Sequence, residues 1–207
     1  MIWAAKQLLT PCNYLRIKQG ESLLESKAVY DFLLPAILSI ATVCFSLFLS
    51  ISLSLSDHPA LVKSITDLLA LLIAFYMAAL AAVATFQRDG LDNDMAGSPA
   101  TLSRISSDDG RKIIQTLSYR QFIAYLFGYL SFLSLILFSF LVLFVRSWPI
   151  IVKKLGHPFW FSNIAYASIE FLIYFLFFFA LWQLIVTSLL GIHFLAERLQ
   201  NLGGKSH

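Results

Sequence analysis

Charge is what this chain has least of. Only 13% of its 207 residues are Asp, Glu, Lys or Arg, against 58% hydrophobic residues and a mean hydropathy of +0.76. A soluble domain carries about 25% charged residues, because its solvated surface is built from them. The shortage excludes a soluble globular domain and leaves an integral membrane protein of one domain. Cysteine is also scarce. Cys12 lies in the N-terminal segment and Cys44 inside a hydrophobic run, and neither has the spacing of a disulfide framework or a metal site. No nucleophile elbow, His-Glu-x-x-His helix or phosphate loop occurs, so the chain is not expected to be an enzyme or to carry a cofactor or metal. A removable signal peptide is missing from the pattern too: the short apolar run in Met1–Thr10 meets no small-residue cleavage site before Asp31.

What the chain does have is four long apolar runs, Phe32–Leu55, Asp67–Phe86, Phe122–Val145 and Phe171–Leu195. At about 1.5 Å of rise per residue, each is long enough as a helix to cross a hydrocarbon core roughly 30 Å thick. The pattern predicts an all-α membrane protein with four transmembrane helices in residues 31–195. Residues 1–30 form a cytoplasmic or interfacial N-terminal segment. Residues 87–120 form a cytoplasmic connection between helices 2 and 3, and residues 196–207 a cytoplasmic tail.

The second run carries the most regular feature. Ala70, Ala74, Ala78 and Ala82 fall every fourth residue and so form one ridge. Small residues let helix backbones approach closely in lipid, where no hydrophobic force drives helices together. The ridge therefore predicts a helix packed inside a bundle or at an oligomer axis, against the plainer reading that alanine is common in membrane helices. Ser64 reads as the N-cap of this helix, with Asp67 completing a capping box. In the first run, Thr42, Ser46, Ser50 and Ser54 form a hydroxyl stripe. Interhelical packing is the favoured reading, since Ser and Thr satisfy themselves on backbone carbonyls; a wetted, pore-lining face is the alternative. Pro35 suits the first turn of this run.

Outside the runs, Met1–Tyr30 mixes apolar residues with Lys6, Arg16, Lys18 and Lys27, as in a segment lying on a membrane surface or a basic tail. In the connection, Ser106–Asp109 is expected to open a short amphipathic helix through Ile113, Ile114 and Leu117. Arg146–Ala167, with Trp148, Pro149, Trp160 and Tyr166, reads as an interfacial outer segment. In the third run, Gly128, Ser131 and Ser134 mark a tight face. In the fourth, Gln183 and Thr187 are the main polar points.

Of the 15 Lys and Arg residues, eleven fall in the N-terminal segment, the 87–120 connection and the tail. Four, Lys63, Arg146, Lys153 and Lys154, fall on the other side. The positive-inside rule then puts both termini in the cytoplasm. Arg104, Arg111, Lys112 and Arg120 concentrate in the connection. They read as ordinary positive-inside residues or, if symmetry repeats them around an axis, as a site for an anionic, nucleotide-like ligand. Glu170 is either a first-turn carboxylate near headgroups or an intramembrane carboxylate lining a path. Asp92–Gly97 starts like a calcium loop but lacks an oxygen donor at Ala96, and Ser103 stands where the bidentate Glu belongs. His193 with Glu197 is not a metal site.

In layout, with its basic entry Tyr14-Leu-Arg-Ile-Lys-Gln-Gly-Glu and its acidic stretch Phe86-Gln-Arg-Asp-Gly-Leu-Asp-Asn-Asp-Met, the chain resembles the small four-span membrane subunits of bacterial anti-phage operons. The Hailong channel effector and the Kiwa membrane subunit are of this kind. The resemblance implies a homo-oligomer, with a tetramer as the working count, in a bacterial inner membrane. It also implies a cytosolic partner protein or nucleotide-like ligand beside the membrane lipids. The expected function is a homo-oligomeric channel or pore-forming effector controlled from the cytoplasmic side. The alternative is a non-conducting anchor or sensor that recruits a cytosolic partner. Two similar halves or helices interrupted around a charged midplane, the marks of a transporter, are not seen.

Overall fold

In a computed structural model, residues 7–19, 27–49, 58–85, 92–93, 99–105, 112–155 and 163–195 are described. Among these described residues, four helices are long and apolar enough to cross a membrane, over Val29–Phe48, Pro59–Thr85, Tyr119–Ser147 and Phe171–His193. The chain is thus a mostly helical, multi-pass membrane protein. The first span enters through a π-helical turn, Val29–Leu33, and continues as α1, Leu34–Phe48; the others belong to α2, Pro59–Thr85, α3, Tyr119–Leu155, and α4, Asn163–His193.

Several boundaries differ from the pattern, each for a local reason. Helix α2 opens at Pro59, eight residues before Asp67. Proline's fixed φ suits a first helical position, and its missing N–H would be unpaired there anyway. Ser64 is therefore inside the helix rather than its cap, and its Oγ donates to the Ala60 carbonyl at 3.0 Å. Helix α3 runs on through Trp148 and Pro149 to Leu155, and α4 begins at Asn163, so much of the expected outer segment is helix. Pro149 withholds one backbone donor without ending the helix. Pro35 does sit in the first turn of α1. The stretch 50–57 and the tail lie outside the described residues.

The connection holds strands where a helix was expected. β1, Ile17–Lys18, β2, Thr101–Ile105, and β3, Lys112–Thr116, form an antiparallel sheet in the order β1-β2-β3. Ile17 pairs with Leu102, Leu102 with Gln115, and Thr101 with Thr116. Ile113, Ile114 and Thr116 are β-branched and favour the pleated conformation once a partner strand is in reach. Ser106–Asp109, which was to open the helix, lies outside the described residues.

The spans pack as an open row. Helix α2 lies along α3, α3 along α4 and α4 along α1, while the consecutive α1 and α2 share no extensive interface. Leu69 and Tyr76 of α2 join Leu126, Phe127, Leu130 and Leu141 of α3 and Tyr174, Phe177 and Leu184 of α4 in one core. At Gly191 α4 packs tightly on α3: a Cβ there would lie 2.8 Å from Leu126 Cδ2. At one end the core continues into Tyr14, Ile17, Leu102 and Leu117, so the sheet is seated on the helices.

Candidate functional site

Among the described residues, the densest polar arrangement is at the sheet end of the row, where the first span begins. Lys27 and Asp31 are four residues apart and so share one helical face. A 3₁₀ helix, Thr10–Arg16, opened by Pro11, folds back over them and delivers Tyr14. The Lys27 ammonium donates to the Asp31 carboxylate and, at 2.9 Å, to the Tyr14 carbonyl. It also lies 3.6 Å from the centre of the Tyr14 ring, a cation–π contact. The Tyr14 hydroxyl donates to Asp31 Oδ1 at 3.3 Å, and its ring stacks on Tyr129 of α3 with centroids 5.1 Å apart. Tyr14 has no exposed surface, and the side chains of Lys27 and Asp31 are only 4% and 2% exposed.

Burial sets the electrostatics. It pushes the Lys27 ammonium below the ordinary lysine range, while the Asp31 charge works the other way. The Tyr14 phenol is pushed up, first by burial and then by Asp31, and the Cys12 thiol is pushed up by burial. Two charges removed from water together are held by each other and by the groups that fill their remaining hydrogen-bonding directions. The arrangement fastens the N-terminal segment to the start of the first span and to α3.

The residues singled out from the sequence are distributed as follows. Ala70, Ala74 and Ala78 are exposed and Ala82 is half-buried, on the side of α2 away from the face that Leu69, Tyr76 and Leu80 turn to α3. Thr42 donates to the Leu38 carbonyl at 2.8 Å and accepts the Trp182 indole N–H of α4 at 2.9 Å; Ser46 donates to the Thr42 carbonyl at 3.0 Å. Beside them Ser39 donates to the Phe175 carbonyl, so this side of α1 is turned to α4. Ser50 and Ser54 lie outside the described residues. Glu170 is in α4, one residue before the apolar span starts; because the helix begins at Asn163, it is not a first-turn residue.

The basic group is spread out. Arg120, in the first turn of α3, holds Asp92 with Nε 2.9 Å from Oδ1 and a second contact of 3.2 Å. Arg104 and Lys112 lie on neighbouring strands at the other end of the hairpin, where Arg104 pairs with Ile113 and Ile105 with Lys112. Arg111 lies outside the described residues. With about 3.4 Å of rise per strand residue, Lys112 is roughly 14 Å along β3 from Thr116, and Arg120 lies four residues beyond that.

Asp31 went unread in the sequence except as a boundary, and Lys27 only as one more surface cation. Their four-residue spacing at the mouth of an apolar run was the available signal; Tyr14 gave none. Comparison with protein-family models, with curated proteins and with solved structures finds no match.

Proposed function

We propose that the chain is the subunit of a homo-oligomeric membrane channel or pore-forming effector, controlled from the end that carries the sheet. The observation behind this reading is the open row of spans, with an exposed alanine ridge on its edge helix α2. A row has no enclosed centre, so a conducting path runs between copies rather than within one. Close helix contact in lipid is made over small side chains, and Ala70, Ala74 and Ala78 offer them to a neighbour. The excess of Lys and Arg at the sheet end supports a cytoplasmic placement of that end, with both termini inside; the resemblance to anti-phage membrane subunits supports a bacterial inner membrane. The layout shared with anti-phage membrane subunits suggests defence as the setting, with a cytosolic protein or an anionic, nucleotide-like ligand as the controlling partner.

Purified full-length protein in liposomes tests this directly. Ion flux should appear, with native mass measurement giving one discrete subunit number above one. A protein that is monomeric and carries no flux, with or without nucleotides, sinks the reading.

One observation favours a second reading, a non-conducting anchor or sensor. The hydroxyls of Thr42 and Ser46 are taken up within the protomer, and Arg120 is neutralised by Asp92, which leaves fewer groups for ions or ligand. The anchor reading expects silent liposomes and a soluble protein that co-purifies through the sheet end.

A further inference from the structure

Strand β1 and the buried ion pair meet at one oxygen atom. The Tyr14 carbonyl closes the 3₁₀ helix by accepting the backbone N–H of Ile17, the first residue of β1. The same oxygen accepts the Lys27 ammonium at 2.9 Å. A carbonyl has two lone pairs, so this one is engaged from both sides. A second link runs beside it. The backbone N–H of Lys27 donates at 3.2 Å to the carbonyl of Gln19, the residue that follows β1. Only Leu15 and Arg16 separate Tyr14 from the strand, so β1 cannot shift far without moving Tyr14.

Both ends of this linkage are weak points. On the sheet side, β1 pairs with β2 through Ile17 and Lys18 alone, whereas β2 and β3 share five pairs. On the membrane side, the helix that carries Lys27 and Asp31 changes pitch at Val29–Leu33, where the Leu34 N–H reaches back five residues to the Val29 carbonyl. The next rung is missing, because Pro35 has no N–H to give. Turns of π type and prolines are where helices bend. Farther along, the span is tied to α4 by Ser39 on the Phe175 carbonyl and by the Trp182 indole on Thr42.

From this we infer that residues 14–18 are a strap that couples the sheet to the entry of the first span. While β1 is paired, Tyr14 keeps Lys27 and Asp31 dry and the π-turn in place. When β1 leaves β2, Tyr14 leaves with it, water reaches the pair, and the entry is free to bend about residues 29–35. In water the two charges attract each other far less than they do when buried. The coupling is reciprocal, so a bend at the entry also loosens β1. The strap rests on the reading of control from the sheet end and gives that control a route. A partner that draws β1 off β2 acts on the first span without touching it.

Hydrogen exchange on the full-length protein in liposomes, read by mass spectrometry, tests the strap. Ile17→Asp puts a carboxylate where a side chain only 3% exposed was seated, and so displaces β1. Exchange across residues 29–34 should then quicken several-fold, while residues 40–45, beyond Pro35, keep their rate. In Lys27→Met with Asp31→Leu the link to the Tyr14 carbonyl is gone, and the same substitution should add little. No change at residues 29–34, equal quickening of both stretches, or an effect as large in both backgrounds overturns the strap. If Ile17→Asp does not assemble, Ile17→Ala gives the same comparison with a smaller effect. Ion flux from the same liposomes is read separately. Its absence from every variant sinks the channel, whereas the exchange rates decide the strap.

Discussion

Lys27 and Asp31 leave water as a pair, and the consequences for each alone are severe. Removing one partner strands the other charge in a site where Tyr14 and the start of the span have displaced solvent. Breaking a buried ion pair in this way costs about 3–5 kcal/mol, whereas replacing both members with apolar residues of similar volume is often neutral. Lys27→Met and Asp31→Leu should therefore each destabilise the protein by about that amount, and the double variant should recover most of the loss. Unfolding in increasing denaturing detergent measures all three; additive losses in the double variant would contradict the pairing. The interaction was half legible. A lysine and an aspartate four apart announce a shared face, but nothing in the sequence says that a tyrosine 13 residues upstream of the lysine supplies both a carbonyl and a ring. That contact depends on where a short 3₁₀ helix turns, and turns of that kind leave no periodicity to read.

Among the elements, the spans were legible because length and hydropathy suffice to place them in lipid. Their ends were not. Helix α2 takes its start from Pro59 rather than from the capping pattern at Ser64, and α3 passes through a proline that usually ends a helix. The sheet was hidden for another reason: β1 and β2 meet across more than 80 residues, and local patterning cannot report so distant a partner. Two substitutions follow from how the helices meet. At Gly191, alanine brings a Cβ against only the end of the Leu126 side chain, which can shift, whereas leucine must push α3 and α4 apart. Gly191→Leu should cost about 1–3 kcal/mol or more, and Gly191→Ala distinctly less, in the same detergent titration. On α2, Ala74→Leu with Ala78→Leu adds bulk only where the protomer is exposed. The protomer should keep its helical content and stability, while native mass measurement should show fewer subunits per particle. An unchanged subunit number would remove α2 from the contact between copies.

For the whole molecule, the distribution of basic residues needs one adjustment. Lys27 is buried against Asp31 and no longer counts as a free surface cation, so ten rather than eleven Lys and Arg residues stand against the other side's four. The sign of the asymmetry is unchanged. Cysteines introduced as Ser107→Cys and Lys153→Cys in a Cys-free background should react with an impermeant reagent from opposite sides of the membrane. Reaction from one side would mean that the orientation, and with it the cytoplasmic assignment of the sheet end, is wrong.

The pairing of Ile17 with Leu102 also sets an order of events during synthesis. At about 5–20 residues per second, the ribosome needs roughly 4–17 s to go from the first of these residues to the second. Until then β1 has no neighbour, and Tyr14 waits longer still for Tyr129 to stack on. Lys27 and Asp31 can meet early, because they share a helical turn, but they stay wet until the third span arrives. Seating of the N-terminal segment is therefore a late step. A protease added to arrested, partly made chains should cut near Tyr14 until the third span has been inserted, and lose access afterwards.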